Sequence, residues 1–240
     1  SPGNAPVALA GPCPIGAYQP QIPTAEKHTA APAVSTPPPT TSNQSHSMRI
    51  ISGRAGGIRL SAPEGQGLRP TEDRVKESMF STIGDLTGSI VVDLFAGIGG
   101  LGLEALSRGA AQVILVECNR SHCEFINRNL ANVCKAMGNQ PDVGVARIVQ
   151  ADVRQAPTLL ATVRPDLILA DPPYHQDSTG FGAAHLLNDV SLAEWAGPGC
   201  LLALEHAADV ALPWHPASPW QLLKNKRFGI RAVSFARLAR

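Results

Sequence analysis

The chain has 240 residues and a net charge of +1, and its apolar runs are all shorter than the about 18 residues that a membrane span requires. Its five cysteines form no C-x-x-C pair and no group with histidines at zinc spacing. We therefore expect reduced thiols, no metal site and a soluble cytoplasmic protein. The length suits one α/β domain with additions or two small domains.

The charge is distributed unevenly along the chain. Residues 48–76 carry six basic and three acidic side chains, residues 77–223 carry seven and fifteen, and residues 224–240 carry six and none. An acidic centre between basic flanks suits a polyanionic partner if the flanks meet on one face. Solvated surface charge would explain either flank alone.

The first segment differs in composition from the rest. Residues 1–47 contain ten of the 21 prolines, many Ala, Ser and Thr, and only two charged side chains. Such a segment cannot bury enough apolar surface to offset the entropy lost on ordering, so we predict that it is disordered. We expect residues 48–240 to form the folded domain, with residues 48–68 as an N-terminal hairpin arm.

The arm has two short strand-like runs, Arg49 to Ser52 and Ile58 to Ser61, around a glycine-rich turn, which favours a β-hairpin. Arg49, Arg54 and Arg59 recur along it. A basic hairpin can bind phosphate backbone, but arginines also protect a solvated strand edge from aggregation. A helix is then predicted from Thr71, a good N-cap, to the residue before Gly84.

A ligand loop is predicted where a buried strand ends in an acid and glycines. Ile90 to Leu94 is apolar without alternation, which is typical of a parallel strand covered on both faces. Asp93 closes it, and four glycines follow at positions 97, 99, 100 and 102 before a helix over Gly100 to Ser107. Such glycines leave room for a ligand near bare main chain.

The glycine spacing also matches the dinucleotide motif G-x-G-x-x-G, so an oxidoreductase is an alternative. Asp93, however, is a poor neighbour for a pyrophosphate and a good one for the ammonium of an amino-acid moiety. S-adenosylmethionine carries that moiety. The position of Asp93 therefore favours this cofactor.

Three more apolar strands end in acids. They are Gln112 to Val116 before Glu117, Ala146 to Gln150 before Asp152, and Pro165 to Ala170 before Asp171. Alternating strands and helices predict an α/β fold with a parallel sheet, whose ligands bind beyond the carboxyl ends of the strands. Glu117 can accept the ribose hydroxyls of an adenosine. Asp152 can bind the adenine amino group or can simply cap the next helix.

The remaining elements complete the sheet. We predict a helix over Asn119 to Met137, another around Ala183 to Trp195, and a strand over Cys200 to Glu205. Trp220 to Phe228 and Ile230 to Leu238 then form a terminal hairpin that adds an antiparallel strand to the sheet.

The sequence Asp171-Pro172-Pro173-Tyr174 is a specific short signal. Two prolines fix the backbone and remove two N–H donors, so that carbonyl oxygens face the pocket as acceptors. The Asp171 carboxylate and the Pro172 carbonyl can accept both hydrogens of an exocyclic amine, which points its lone pair at a methyl donor. Tyr174 offers a face on which a base can stack. A rigid proline turn is the alternative.

The chain resembles the RsmD-type family of class I S-adenosylmethionine-dependent methyltransferases over about Met48 to Leu238. The motifs that carry the resemblance are V-V-D-L-F-A-G-I-G-G-L-G, V-E-C, D-P-P-Y, R-I-I-S-G, R-P-T-E-D-R-V-K-E-S-M-F, G-L-E-A-L-S-R-G-A and K-R-F-G. The resemblance implies a Rossmann-like seven-stranded sheet with an N-terminal hairpin extension and a C-terminal antiparallel hairpin. It also implies methylation of a guanine N2 in 16S ribosomal RNA, within a small-subunit assembly particle.

The sequence patterns and the resemblance together give the candidate residues. The cofactor would contact Asp93, Phe95, Gly97, Gly99, Glu117 and Asp152. The guanine would be held by Asp171, Pro172 and Tyr174. The candidates for binding RNA are Arg49, Arg54, Arg59, Arg69, Lys226 and Arg227.

Two further alternatives stay open. D-P-P-Y suits the N6 amine of adenine as well as a guanine amine, so a DNA adenine methyltransferase is possible on this motif. A non-catalytic RNA-binding assembly factor could keep the same pocket. We expect a monomer that uses no metal ion and binds no membrane.

Overall fold

The computed structural model describes residues 48–63, 73–138, 142–173 and 181–238, which belong to one compact unit, Ser47–Arg240. Residues 1–47, for which disorder was predicted, lie outside the described residues. The strands are β1 (Ile90–Asp93), β2 (Gln112–Glu117), β3 (Val145–Gln150), β4 (Leu167–Ala170), β5 (Leu201–Ala207), β6 (Trp220–Phe228) and β7 (Arg231–Leu238). The helices are α1 (Asp73–Ile83), α2 (Gly100–Ser107), α3 (Arg120–Met137), α4 (Ala156–Leu159), α5 (Ala183–Asn188) and α6 (Val190–Ala196).

The seven strands form one sheet in the order β3-β2-β1-β4-β5-β7-β6. β1 to β5 run parallel, and β7 lies antiparallel to both β5 and β6. This confirms the predicted Rossmann-like seven-stranded sheet and its terminal antiparallel hairpin. Among the described residues, no helix is long and apolar enough to cross a membrane.

Alternation along the strands divides the core into two layers. Val91, Leu115 and Leu169 face α1, α2, α3 and the arm, whereas Val92 and Ile168 face α4, α5 and α6. Successive strand side chains point to opposite faces, so a parallel strand covered by helices must be apolar at every position. The apolar runs without alternation therefore predicted these strands, and each observed bound lies within two residues of the prediction.

One local prediction was wrong, and one short helix had no predicted bounds. The helix expected around Ala183 to Trp195 is two helices, α5 and α6, because Asp189 has extended backbone angles and caps α6 by accepting the Leu192 N–H at 3.1 Å. The short helix α4 follows Asp152, where the sequence suggested a capped helix without giving its bounds, since its apolar residues are too few to show a helical period.

The arm is less regular than the predicted hairpin. The pairing of its two runs is limited, in the described residues, to one antiparallel bridge between Arg49 and Arg59 and to flanking backbone hydrogen bonds. The arm is held mainly by α2. The Ser107 hydroxyl donates to the Ser52 carbonyl at 2.7 Å and accepts the Ala55 N–H at 2.9 Å.

A buried carboxylate in the middle of α2 also holds the arm. Glu104 is fully buried and accepts the N–H groups of Ile51 at 2.7 Å and Ser52 at 3.0 Å. Arg108 Nε donates to it at 2.8 Å, and the buried Lys76 Nζ lies 3.7 Å away. Burial lowers the pKa of Lys76, and the charge of Glu104 opposes that shift.

Candidate functional site

The sheet register places the predicted site residues along one edge. Asp93 is level with Leu115 on β2 and with Leu169 on β4. Two residues further along each chain segment come Phe95, Glu117 and Asp171. Because neighbouring strands lie about 4.8 Å apart, the backbones at Glu117 and Asp171 are about 10 Å apart. We call this rim, at the carboxyl ends of β1 to β5, the carboxyl edge.

The loop after β1 needs glycine at two positions. Gly97 has φ 55° and Gly99 has φ 90°, a left-handed conformation that side chains with a Cβ rarely adopt. Gly99 directly precedes α2, whose N-terminus therefore opens onto the carboxyl edge. The sequence predicted this loop correctly as a tight turn of bare main chain.

The other two glycines serve packing, which corrects the expectation that all four leave room for a ligand. A Cβ on Gly102 would lie 2.9 Å from Leu115 Cδ2 and 3.1 Å from Asp93 Oδ2. A Cβ on Gly100 would lie 2.5 Å from the sulfur of Met48. These glycines let α2 approach β1, β2 and the start of the arm.

Asp93 is a buried acid with one unused acceptor. Its side chain is 1% exposed, its Oδ2 accepts the Gly102 N–H at 2.8 Å, and its Oδ1 has no partner among the described residues. Burial raises the pKa of Asp93 to about 7, with a smaller contribution from the charge of Glu117, and hydrogen bonds from the backbone oppose the shift. A cation placed beside this carboxyl would favour its charged form.

Glu117 joins the glycine loop to the start of α3. Its Oε2 accepts the Gly97 N–H at 2.8 Å, and its Oε1 accepts the Asn119 N–H at 2.7 Å. Asn119 in turn caps α3 by accepting the Ser121 N–H at 2.8 Å. Oε1 also lies 3.6 Å from Cys118 Sγ and from His122 Nδ1, whereas Oε2 keeps a second lone pair that can accept a hydroxyl group of a ligand without breaking these contacts.

Asp152 follows β3 and caps a short 3₁₀ turn. Its Oδ1 accepts the Arg154 N–H at 2.9 Å, and the Arg154 guanidinium pairs with the same carboxylate at 2.6 Å. These hydrogen bonds hold the pKa of Asp152 below its usual value. The capping alternative is therefore observed, and the contact with adenine stays a prediction.

The acceptor candidates lie at the end of β4. Asp171 is partly exposed and Pro172 is buried, one and two residues beyond Ala170. Phe95, across on the loop after β1, is partly buried and packs against the core layer of α4, α5 and α6. Tyr174 lies outside the described residues, so its stacking role stays a prediction.

Two arm arginines are paired with acids that the sequence does not place near them. Arg49 Nε donates to Asp73 at 2.8 Å, and the Arg54 guanidinium pairs with Asp142. Arg54 also donates its N–H to Ser107 at the end of α2, which places it near the amino end of β3 and away from the carboxyl edge. That position does not favour contact between Arg54 and a nucleotide at Asp171.

The other basic candidates lie on the arm, on β6 or outside the described residues. Arg59 is exposed on the arm, and Arg69 lies outside the described residues. Lys226 Nζ donates to the Ser78 hydroxyl at 3.1 Å, and Arg227 Nε donates to the Gly229 carbonyl at 3.2 Å. β6 therefore brings Lys226 against α1, and the Arg227 guanidinium lies at the turn between β6 and β7.

Sequence reasoning missed Asn129, which supports the glycine loop. Its side chain is fully buried, accepts the Ser61 N–H at 2.8 Å, and donates to the carbonyls of Ser61 and Ile98 at 3.0 Å each. It thereby fixes the end of the arm to the loop. A polar residue within the apolar stripe of a predicted helix is the signal that could have identified it.

Comparison with known proteins gives matches over nearly all the described chain. The family model described as conserved hypothetical protein 95 matches residues 48–237. Ribosomal RNA small subunit methyltransferase D of Escherichia coli strain K12 is 33% identical over 183 residues, which cover 76% of this chain and 85% of that protein. The protein of the same name from Haemophilus influenzae is 32% identical over 191 residues, covering 79% and 93%.

Solved structures also match. A conserved hypothetical protein from Streptococcus pyogenes has a TM-score of 0.56 and 30% identity over 69% of this chain and 96% of its own. The rRNA methyltransferase aviRa from Streptomyces viridochromogenes has a TM-score of 0.55 at 20% identity, covering 74% of this chain and 88% of its own. At that identity the second match concerns the fold alone.

Proposed function

This chain belongs to the RsmD family of small-subunit ribosomal RNA methyltransferases, and we propose that it transfers a methyl group from S-adenosylmethionine to the N2 amine of a guanine in 16S ribosomal RNA. The observation that carries the proposal is the register of β2, β1 and β4. It puts Glu117, the glycine loop and Asp171 on one edge, with backbones about 10 Å apart across two strand spacings. A cofactor bound at Glu117 and a base bound at Asp171 can meet over β1.

The residues at β1 and β2 fit this cofactor. Asp93 has a buried Oδ1 without a partner among the described residues and a pKa raised to about 7, a combination that an ammonium group would complement. Glu117 would accept the ribose hydroxyls, Gly97 and Gly99 would face the cofactor through bare main chain, and Asp152 would lie at the adenine. When bound, the cofactor supplies an electrophilic methyl group on a sulfonium.

The residues at β4 would position the acceptor. The Asp171 carboxylate and the Pro172 carbonyl accept the two hydrogens of the guanine N2 amine, and neither Pro172 nor Pro173 has an N–H that competes for those oxygens. The amine lone pair then points away from both acceptors. After methyl transfer the nitrogen is a strong acid that gives up its proton readily, so positioning and exclusion of water contribute more than a strong base.

Phe95 and Tyr174 are the aromatic residues proposed to border the base. Phe95 lies in the loop after β1, at the level of Asp171 across one strand spacing. Stacking on such side chains contributes about 1 to 3 kcal/mol per base and does not depend on base identity. We infer that the amine contacts at Asp171 and Pro172 select a base with an exocyclic amine, and that guanine and adenine are not distinguished by these two contacts.

The experiment is a methyl-transfer assay with radiolabelled S-adenosylmethionine. The acceptors are deproteinised 16S ribosomal RNA, small subunits purified from cells lacking this protein, and duplex DNA. We expect label in ribosomal RNA, most strongly in small subunits or their assembly intermediates, and mass mapping should find one N2-methylguanine. Label in adenine of DNA, or RNA binding without transfer, would contradict the proposal.

A further inference from the structure

The strand register extends the carboxyl edge as far as β6. Ala170 on β4 is level with Leu204 on β5, so the next residues, Asp171 and Glu205, are level too. Glu205 pairs with Val233 on β7, and Val233 pairs with Lys226 on β6. Asp171 and Lys226 thus lie on one rim, about 14 Å apart across three strand spacings.

A groove lies just beyond Lys226, at the turn between β6 and β7. It has a volume of about 550 Å³ and lies between the first turn of α1 and that turn. The lining residues are Arg74, Val75, Arg227, Phe228, Gly229, Ile230 and Arg231. We call it the basic groove, because it contains three arginines and no acidic side chain among its described lining residues.

The three arginines differ in what they already bind. Arg231 pairs with the buried Glu205 at 2.9 Å, so it is held in place as part of the wall. Arg74 is exposed, and its guanidinium makes no hydrogen bond or ion pair with any described residue. The Arg227 guanidinium makes one hydrogen bond with the described residues, from its Nε to the Gly229 carbonyl.

The acid that is nearest in sequence to Arg74 does not neutralise the groove. Asp73 directly precedes Arg74, but its carboxylate pairs with Arg49 at 2.8 Å. The other wall, residues 227–231, belongs to the C-terminal part of the sequence, residues 224–240, which has six basic and no acidic side chains. Two guanidinium groups therefore remain available to bind an anion from outside.

We propose that the basic groove binds the phosphate backbone of the RNA strand that carries the target guanine, through Arg74 and Arg227. Guanidinium groups match phosphate oxygens with two parallel N–H donors, and such contacts fix the register of a strand without reading its sequence. With a rise of about 3.4 Å per nucleotide, a strand spans the distance from Lys226, beside the groove, to Asp171 in about four nucleotides. The inference rests on the proposed function, because it places the target nucleotide at Asp171.

Two of the three arginines in the described part of the arm are already paired, which favours the basic groove over the arm as the contact with phosphate. Arg49 and Arg54 are already paired with Asp73 and Asp142, and Arg54 lies toward the opposite edge of the sheet. Arg74 and Arg227 come from the two basic flanks that the sequence places at either end of an acidic centre. The fold brings those flanks together at one end of the carboxyl edge.

The test compares Arg74→Gln and Arg227→Gln with Arg164→Gln. Arg164 is an exposed arginine just before β4, at the amino edge of the sheet, and it donates to the carbonyls of Ala161 and Val163. Each of the three substitutions removes one positive charge. Binding of deproteinised 16S ribosomal RNA and of purified small subunits is measured over a series of salt concentrations.

We expect each groove variant to bind RNA about fivefold more weakly near physiological salt. The slope of log affinity against log salt should fall by about 0.7 for each phosphate that the variant no longer neutralises. The Arg164→Gln variant should keep the wild-type affinity and slope. Affinity for S-adenosylmethionine, measured by calorimetry, should be that of the wild type in all three variants, which shows that they are folded.

Wild-type affinity and slope in both groove variants would overturn the proposal, and so would an equal weakening in Arg164→Gln. It would also fail if the groove variants lost binding only to duplex DNA or to an acidic protein. If the wild type methylates RNA while the groove variants bind it normally, the groove assignment alone is wrong. If the groove variants lose RNA affinity but the wild type transfers no methyl group, the proposed function alone is wrong.

Discussion

The Glu117 carboxylate accepts the backbone N–H of Gly97 at 2.8 Å, a contact between residues 20 positions apart that joins the end of β2 to the loop after β1. The second carboxylate oxygen accepts the Asn119 N–H, so one side chain orders both the glycine loop and the start of α3. Glu117 is 8% exposed, and its hydrogen bonds fix its orientation.

Glu117→Gln should weaken cofactor binding with little effect on RNA binding. The amide replaces one charged acceptor by a donor, and a hydrogen bond to a charged group contributes about 1.5 to 3 kcal/mol, so we expect at least a tenfold rise in the dissociation constant of S-adenosylmethionine. Titration calorimetry measures it. Glu194→Gln, on the exposed face of α6, is the matched control. Equal affinities in both variants would remove Glu117 from the cofactor site.

Asp171→Asn and Asp171→Ala should lose most methyl transfer while keeping cofactor affinity. The carboxylate is proposed to accept an amine hydrogen in the transition state, and removal of such a polar interaction typically lowers kcat by about 10² to 10³. Single-turnover transfer to small subunits gives the rate, and calorimetry gives the cofactor affinity. If either variant were fully active, the assigned role of Asp171 would be wrong.

Asp93 should make stability fall as pH rises toward neutrality. Its pKa is raised to about 7 in the folded protein, against about 4 in an unfolded chain. The folded state therefore holds a proton that the unfolded state has lost between about pH 4 and pH 7, and the free energy of unfolding decreases through that window. Urea unfolding of wild type and Asp93→Asn at about pH 5 and about pH 8 measures the difference. We expect a smaller decrease in the variant, and equal decreases would contradict the assignment.

Glu104→Gln should destabilise the fold through the arm and α1. The substitution removes the charge beside the buried Lys76 Nζ, and breaking one side of a buried pair destabilises by about 3 to 5 kcal/mol. The double variant with Lys76→Met should lose less than the sum of the two single variants, because it leaves no uncompensated buried charge. Urea denaturation measures these free energies.

A control for the buried pair is Glu124→Gln, which alters an exposed ion pair with Arg120 on α3. Exposed pairs contribute about 0 to 1 kcal/mol, so this variant should remain close to the wild type. Additive effects of Glu104→Gln and Lys76→Met would show that the two side chains are not coupled.

Gly102→Ala should destabilise the protein, whereas Gly182→Ala should not. An added Cβ at position 102 meets Leu115 Cδ2 at 2.9 Å, and overpacking of this kind costs about 1 to 3 kcal/mol. Gly182 has no atom within 4 Å of such a Cβ and no positive φ, so it controls for the change in backbone entropy. Thermal unfolding compares the two. Equal melting temperatures would show that α2 can move away from β2.

Much of the fold follows from local patterns in the sequence. The apolar run before Asp93 predicts a strand buried on both faces because a parallel sheet needs apolar side chains at every position. The acids at Glu117 and Asp171 are predicted on one edge because all parallel strands end on the same side. These inferences need only strand order and direction, which the alternation of strands and helices supplies.

The tertiary structure decided how those residues are used. Whether Gly102 faces a ligand or packs on Leu115 depends on how closely α2 approaches the sheet, and the burial of Asp93 depends on the same approach. The partner of Arg54 is 88 residues away, so its neutralisation has no local signal. The sequence by itself determined which residue types lie at the ends of the strands. Only the packing of distant segments decided which of the charges remain free to bind, because burial and pairing are properties of the folded surface.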